Sequence, residues 1–291
     1  MTSVAVIVVN FNSSALARRA LESAATDLAR GAADGGPIDW TALVVDNASL
    51  DRGTALAELP RTTVIANARN AGFGAAVNQA ARATSAGLLW LLNPDCEVVP
   101  GAFAALRATL DRHADCAIAA PRLLNQDGTV QASARGEPGA LTGLFGRNTL
   151  LTRLFPSSRI ARRNLPAADL VASGVESAPV DWVMGAAMLV RREAFDLVGG
   201  FDERYFLYWE DADLCRRLRA RGLATRYVPG ARVVHEGGAS ARTDSRESTR
   251  AFHHSAYVYY ITHVVPSPWH PARWLARIAL SARAWWRSRN M

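Results

Sequence analysis

The chain reads as an α/β protein with an open, mostly parallel central sheet flanked by helices. Three observations carry that expectation. Short apolar runs alternate with helical segments from the first residues onward, the pattern of βαβ units. The first run, Val4–Val9, has no polar interruption, as suits a strand covered on both faces. Three of the first four runs end in clusters rich in Asn and Asp, at the carboxyl ends where such sheets bind ligands. Asn and Asp are common in turns, but turn chemistry alone does not explain the repetition.

The elements follow in order. Val4–Val9 runs into Asn10-Phe11-Asn12, and Ser14–Ala29 is a helix with Leu16, Ala20 and Leu21 inward. Trp40–Val45 is a second strand ending in Asp46-Asn47-Ala48-Ser49-Leu50-Asp51. Thr63–Ala66 is a short third strand, and Asn67 to Gly74 leads into a helix over Ala75–Ala83. Leu88–Leu92 is a fourth strand, ending in Asn93-Pro94-Asp95-Cys96-Glu97. Over residues 131–179 periodicity fades and Gly, Pro, Ser, Ala and Arg dominate, a loop-rich insertion beside the site. Val180–Arg191 returns to strand-like apolar sequence and Glu193–Val198 is a short helix. Ala224–Val228 and Arg232–Val234 are short strands leading to His235-Glu236-Gly237-Gly238. The division expected is one α/β domain over 1–240 and a helical tail over 241–291.

With 291 residues, 49% hydrophobic and 20% charged, the composition is that of a globular protein with a sizeable core. No apolar run approaches the roughly 18–20 residues of a membrane span. The N-terminus lacks a basic region and a small-residue cleavage site, so it reads as a buried strand and the protein as cytoplasmic. Cys96, Cys116 and Cys215 are scattered, which suggests neither a zinc site nor a disulfide framework. All 33 basic residues are arginine. The absence of lysine excludes a P-loop and Schiff-base chemistry, and the net charge of +7 points to an anionic partner.

The densest chemistry lies between Asp202 and Asp213, where five acids fall in twelve residues among Tyr205, Phe206, Tyr208 and Trp209. Glu210, Asp211 and Asp213 stand at the start of a helix, where the dipole favours carboxylates. Capping accounts for one or two of them. Acids against aromatic walls also suit a base site in which apolar contact tunes the carboxylate. Asp95 and Glu97, one residue apart after an apolar strand, suit a divalent cation against a diphosphate. His235, before glycines that allow close approach, is a candidate third ligand. The Asn70–Gly74 stretch fails as a dinucleotide fingerprint because Val77 stands at the third glycine position, but a glycine-bearing helix start still suits phosphate. Asp46, at a strand end, suits a base or ribose as well as an Asx turn. In the tail, Trp274, Ile278, Ala282 and Trp285 share one helical face and Arg273, Arg277, Arg283 and Arg287 another, as in an interfacial membrane helix.

Taken together, VAVIVVNFN, VVDNASLD, NARNAGFGAAVNQA, LLNPDCEV, the stretch from GAAMLVRREAFDLVGGFDERYF to WEDADLCRRLRARG, and VVHEGG resemble, in sequence and order, the family-2 inverting glycosyltransferases of GT-A fold. The likeness spans roughly residues 4–240. Within the family it is similar to bacterial rhamnosyltransferases acting on lipid-linked or cell-wall saccharides, and His253-His254-Ser255 add to that. The resemblance implies a nucleotide pocket lined by Asn10, Asn12, Asp46, Asn47, Asn70, Gly72, Asn78, Asn93 and Asp95. It implies Mg²⁺ or Mn²⁺ held by Asp95, Glu97 and His235, with Glu97 departing from the family's second Asp. Asp211 matches the catalytic base with Glu210 beside it, and Tyr208, Trp209 and Gly185 fall at the acceptor, with Tyr205 also stacking on sugar.

The expected reaction moves a sugar, L-rhamnose from dTDP-rhamnose as the best match, to a saccharide hydroxyl on a polyprenyl diphosphate. The tail would hold the enzyme peripherally at the inner face of the cell membrane. A UDP- or GDP-linked donor is the rival within the class. A non-catalytic membrane-surface or nucleic-acid-binding protein is the rival outside it. Nucleic acid is disfavoured because the aromatics cluster with acids, not with a basic groove.

Overall fold

The computed structural model describes residues 3–35, 38–138, 166–237 and 245–289. The middle of the expected insertion, residues 139–165, and Gly238 lie outside the described residues.

The first strand, β1 (Ser3–Asn10), sits between two cores. Val4, Val6 and Val8 face one core while Ala5 and Ile7 face the other, which is why its sequence has no polar alternation. Helix α1 (Ser14–Gly35) runs past Ala29 and covers the first face with a helical stripe of Ala17, Leu21, Ala24 and Leu28. Strands β2 (Asp39–Asp46), β3 (Thr62–Ala66) and β4 (Leu88–Leu92) join β1 in parallel, in the order β3-β2-β1-β4. Helix α2 (Phe73–Arg82) covers the second face through Ala76, Val77 and Ala80.

The sheet then becomes mixed. After β5 (Cys96–Val98) and helix α3 (Ala102–Arg112) comes β6 (Cys116–Leu124). Short elements follow: β7 (Ala134–Arg135), α4 (Ala167–Ala172), β8 (Ala178–Val180) and β9 (Trp182–Val183). Strand β10 (Ala187–Arg191) runs antiparallel between β4 and β6 and leads into α5 (Arg192–Leu197). Helix α6 (Glu210–Arg219) precedes β11 (Ala224–His235), which lies parallel to β6 and antiparallel to β5. The full order is β3-β2-β1-β4-β10-β6-β11-β5, with β8 on β11.

Two expectations about strands need correction. Val180–Arg191 is not one strand. It bends at Asp181 and again at Met184–Ala186, so that β8 and β10 pair in the main sheet and β9 pairs with β7. Ala224–Val228 and Arg232–Val234 are one strand whose register shifts around Pro229-Gly230, because proline cannot donate to the ladder and glycine tolerates the bend.

These directions decide where chemistry can gather. The carboxyl ends of β1, β2, β4, β6 and β11 and the amino ends of β5 and β10 all reach one edge of the sheet. Helix α7 (Ser245–Tyr259), a π-helical turn (Tyr260–Val264) and helix α8 (Ala272–Arg289) complete the chain. Ser255 Oγ donates to the Leu207 carbonyl at 2.9 Å, which docks α7 onto the acidic segment. Among the described residues no helix is long and apolar enough to cross a membrane.

Candidate active site

At the ends of β1 and β2, Asn10 and Asp46 pair in register and are fully buried. Asn10 Nδ2 donates to Asp46 Oδ2 at 2.7 Å and Ser13 Oγ donates to Asn10 Oδ1 at 3.0 Å, while Asp46 Oδ1 accepts the Ser49 N–H at 2.9 Å. Asn12, with φ +52°, accepts the Leu50 N–H at 2.9 Å. Asn10 and Asp46 tie two loops together beneath the surface, Asn12 is exposed above them, and none of the three is among the residues lining the open cleft. Asn10 and Asp46 spend these polar atoms on each other and on Ser13 and Ser49, so in this structure they brace the loops beside the cleft.

Asn47, Asn70 and Gly72 do face the cleft. Asn47 Nδ2 donates to the Gly72 carbonyl at 3.1 Å, and Asn70 Oδ1 accepts the Gly72 N–H at 2.9 Å. Gly72 has φ +89°, and a Cβ there would run into the Phe206 carbonyl oxygen, so only glycine lets this loop pass the 201–209 segment. Asn78 lies elsewhere. Its side chain donates to the Phe201 carbonyl and accepts the Phe201 N–H, both at 2.9 Å. It clamps α2 to the chain before the acidic run and is not a pocket residue.

The antiparallel pairing of β5 with β11 sets His235 opposite Cys96. Asp95, Cys96 and His235 therefore form a buried cluster whose ligand atoms lie within 4.8 Å of one another. His235 Nε2 is 3.4 Å from Asp95 Oδ1, and His235 Nδ1 is 2.9 Å from Gln131 Oε1. Gln131 also donates to the His235 carbonyl at 2.7 Å, so one amide orients the ring. Burial and the Asp95 charge push the Cys96 thiol well above its usual value, and it donates to the Ala186 carbonyl at 3.2 Å. A thiol is a soft donor, less suited to Mg²⁺ or Mn²⁺ than carboxylate oxygen or imidazole. A carboxylate and an imidazole with buried surroundings are left, a donor pair that fits a divalent cation completed by phosphate oxygens. Glu97 is not in this group. It sits within β5 and is exposed, between the buried Cys96 and Val98. Alternation turns it to the face opposite Cys96, and with Asp95 it borders a second, smaller pocket beside Arg19 and Glu236. Asn93, two residues before Asp95, lines the cleft instead.

Across the cleft, Tyr208 and Trp209 both adopt left-handed backbone, with φ +68° and +71°. Each costs on the order of 1–3 kcal/mol for a non-glycine residue. The reversal starts α6 at Glu210 and aims its first turn at the sheet edge. Asp211 Oδ2 accepts the Gly185 N–H at 2.9 Å, and Asp211 Oδ1 accepts the Ala212 N–H at 2.8 Å. A Cβ at Gly185 would sit 3.4 Å from that of Asp211, so the small residue admits the close approach. Burial raises Asp211 above the ordinary aspartate value, with the two N–H groups and Arg135 opposing. Burial and the Asp211 charge raise Glu210 much further, and its Oε2 has no partner. Burial thus disfavours charge on both members of the pair, and the Gly185 and Ala212 N–H groups favour the charged form of Asp211.

The other members of the acidic run are structural. Asp213 is fully buried, accepts Arg217 Nε at 2.7 Å and lies 2.6 Å from His263 Nε2, which locks α6 to the π-helical turn. Tyr205 is 1% exposed and belongs to the core with Val258 and Tyr259. It cannot stack on a sugar, contrary to expectation. Tyr208 and Trp209 do line the cleft, braced by Phe252 at ring separations of 5.7 and 5.9 Å.

Comparison with known proteins agrees with this geometry. Residues 2–253 match the family model described as "Glycosyltransferase like family 2". The chain belongs to glycosyltransferase family 2. An N-acetylglucosaminyl-diphospho-decaprenol L-rhamnosyltransferase of Mycobacterium tuberculosis is 34% identical over 262 residues, covering 83% of this chain and 81% of the relative. The rhamnosyltransferase WbbL of Escherichia coli K12 is 50% identical over 56 residues, 19% of this chain and 21% of WbbL. Among solved structures, GalNAc-T7 with UDP, GalNAc and Mn²⁺ superposes with a TM-score of 0.58 at 17% identity, covering 89% of this chain and 50% of that one. Staphylococcus aureus TarS 1–349 gives 0.51 at 14% identity, covering 96% of this chain and 78% of TarS 1–349. At these identities the structures speak to fold alone, and the fold is GT-A.

The glycosyltransferase cleft has a volume of about 1010 Å³, the upper end of the range for a single small ligand. Its lining runs from the strand ends past Gly185, Glu210 and Asp211 to His253, Leu280, Arg283 and Arg287 of α7 and α8. Several of its residues were silent in the sequence. Gln131 and Arg135 lie where periodicity fades, and no motif marks them. Arg135 lies over the Trp182 ring at 5.3 Å and donates to the Ala132 carbonyl at 2.7 Å, which holds its charge near Asp211. The arginines of α8 were legible as a face, but not as a face turned into the transferase cleft.

Proposed function

We propose that this glycosyltransferase moves L-rhamnose from dTDP-rhamnose, with inversion, to a hydroxyl of a polyprenyl-diphosphate-linked saccharide in cell-wall or surface polysaccharide synthesis. The single observation that carries the transfer chemistry is Asp211, whose carboxyl is held by the Gly185 N–H and faces the same cleft as Asp95 and His235. The choice of rhamnose and of a lipid-linked acceptor is supported by the name of the Mycobacterium tuberculosis relative and by the match to WbbL.

Asn47, Asn70, Gly72 and Asn93 border the donor nucleotide, and Asn10, Asn12 and Asp46 brace the loops that carry them. Asp95 and His235 would hold Mg²⁺ or Mn²⁺, which when bound neutralises the departing diphosphate. Asp211 accepts the proton of the acceptor hydroxyl as that oxygen bonds to C1. The C1–O bond to the nucleoside diphosphate breaks and its electron pair leaves with the phosphate. One displacement from the opposite face inverts the anomeric centre. Tyr208 and Trp209 give the acceptor an apolar wall, and the Gly185 N–H keeps the Asp211 carboxylate in place. Residues 1–240 bear the chemistry, and the tail meets the inner face of the cell membrane through an exposed apolar face on α8.

The test is a screen of dTDP-, UDP- and GDP-sugars, read by nucleotide release with a prenyl-diphosphate-linked N-acetylglucosamine acceptor. Release is expected with dTDP-rhamnose, lost in EDTA, restored by Mg²⁺ or Mn²⁺, and at least 10³-fold slower in Asp211→Asn at unchanged melting temperature, roughly the weight of a general base and its contacts. Turnover of Asp211→Asn near the native rate removes the base, and turnover with another donor only removes rhamnose.

A further inference from the structure

Helix α8 has two unlike faces. Trp274, Leu275, Ile278, Trp285 and Trp286 are 58–69% exposed. The opposite face packs against α7, with Ala284 buried, and brings Arg283 and Arg287 to the cleft. They stand one turn apart, with roughly 5–6 Å between Cβ atoms. Among the described residues no carboxylate pairs with either guanidinium, whereas Arg216, Arg217 and Arg219 of α6 are all paired.

His253 of α7 shares this wall. It is 4% exposed, lines the cleft, and neither ring nitrogen has a hydrogen-bond partner. Burial, reinforced by the nearby charges of Arg283 and Arg287, depresses the imidazole from its usual value to about 4. The ring is therefore neutral and carries one N–H with nothing to receive it. A buried unpartnered donor is costly, and among the described residues the guanidiniums of these two exposed arginines have no carboxylate partner. An anion relieves both. Two arginines one turn apart suit two linked phosphoryl groups, because each guanidinium forks onto one of them.

We infer that Arg283, Arg287 and His253 form a subsite for the diphosphate of the acceptor, separate from Asp95 and His235, which face the donor. This deepens the acceptor reading above and rests on it. The helix supplies the reason for an amphiphile: its cationic face meets the anionic group inside the cleft while its indole face lies outside, where an isoprenoid chain would continue. A free diphosphate matches only the cationic face, and an anionic lipid such as phosphatidylglycerol offers one phosphoryl group where two arginines suit two.

The experiment compares the full chain with Arg283→Gln/Arg287→Gln. Geranyl diphosphate, inorganic diphosphate and dTDP are titrated by calorimetry, and vesicles of phosphatidylcholine with phosphatidylglycerol are tested by co-sedimentation. The double variant is expected to bind geranyl diphosphate at least about 10-fold more weakly, since each charge-assisted contact is worth roughly a factor of ten. Its dTDP affinity, vesicle binding and melting temperature stay as in the native chain, and Arg283→Lys/Arg287→Lys recovers part of the loss. The native chain is expected to prefer geranyl diphosphate to inorganic diphosphate. Unchanged geranyl diphosphate affinity in the double variant overturns the subsite, as does a native chain that does not bind it. Inorganic diphosphate bound as tightly as the geranyl form overturns the amphiphile assignment, and lost vesicle binding assigns the arginines to lipid headgroups instead. A native enzyme that turns over no nucleotide sugar would sink the proposed function, while the binding titration still decides the subsite.

Discussion

Glu210 and Asp211 are adjacent in sequence and opposite in role. Asp211 is held by two backbone N–H groups and sits near Arg135, whereas Glu210 is buried with one oxygen unpartnered. Desolvation raises both, and the charge of Asp211 raises Glu210 further. A base works as a carboxylate, so activity is lost as pH falls through the raised Asp211 value. The acid limb therefore lies above the ordinary aspartate range near 4. Glu210→Gln mimics the protonated neighbour, so it should keep that limb and stay within about tenfold of the native kcat. The sign for stability runs the other way. The folded state holds a proton on Glu210 that the unfolded chain releases, so stability is lost as pH rises from the ordinary glutamate value toward the raised one. Glu210→Gln is therefore at least as stable as the native chain at pH 8 and gains less at pH 4. A shifted acid limb, or a Gln variant that melts lower at pH 8, contradicts the protonated assignment. Asp211, Asp95 and His235 were legible as residues because acids at element ends and a histidine before glycines carry their own chemical signal. Glu97 could not be told apart from them in the sequence, because acid spacing does not show that the ligand atoms of Asp95 gather with those of Cys96 and His235.

At the scale of elements, the acidic segment is positioned by two backbone devices. Tyr208 and Trp209 hold left-handed conformations that start α6 at Glu210, and Gly72 lets the 70–74 loop pass beneath Phe206. Phe73 N–H donates to the Phe206 carbonyl at 3.0 Å, so the two segments are hydrogen-bonded where they cross. Gly72→Ala adds a left-handed alanine and a clash with a backbone oxygen. It should cost roughly 1–3 kcal/mol, a fall in melting temperature of about 2–4 °C per kcal/mol for a domain near this size. It should also weaken nucleotide binding, because the loop bears Asn70. A Gly72→Ala protein with native melting and native dTDP affinity would show that the crossing does not matter. The existence and type of most of these elements could be read from periodicity: β1, α1, β2, β3, α2 and β4 stand where the apolar runs place them. The short bent strands around Trp182 could not, since a turn at Met184–Ala186 inside an apolar run leaves no pattern.

At the scale of the whole molecule, the indole-bearing face of α8 exposes Trp274, Leu275, Ile278, Trp285 and Trp286 on a chain of net charge +7. Trp274→Ala/Trp285→Ala should reduce binding to anionic vesicles on the order of tenfold per indole, given the area each would bury. Melting should not change, because these side chains are 65% and 58% exposed. Equal sedimentation of the variant and the native chain with vesicles would remove the membrane face. The amino-acid sequence by itself determined the α/β class, the strands with polar ends, the carboxylate-bearing start of α6 and the two-faced tail. All are local patterns, set by the period of the apolar residues and by turn and helix-end chemistry. Only the tertiary structure decided which polar groups meet. Antiparallel pairing of β5 with β11 set His235 beside Asp95 and turned Glu97 outward. Hydrogen bonding drew Asn10, Asp46 and Asn78 away from the cleft. Docking of α7 and α8 placed Arg283 and Arg287 along the open cleft. The physical reason is that side-chain facing depends on strand register and helix rotation, which are fixed by burial against partners far away in sequence.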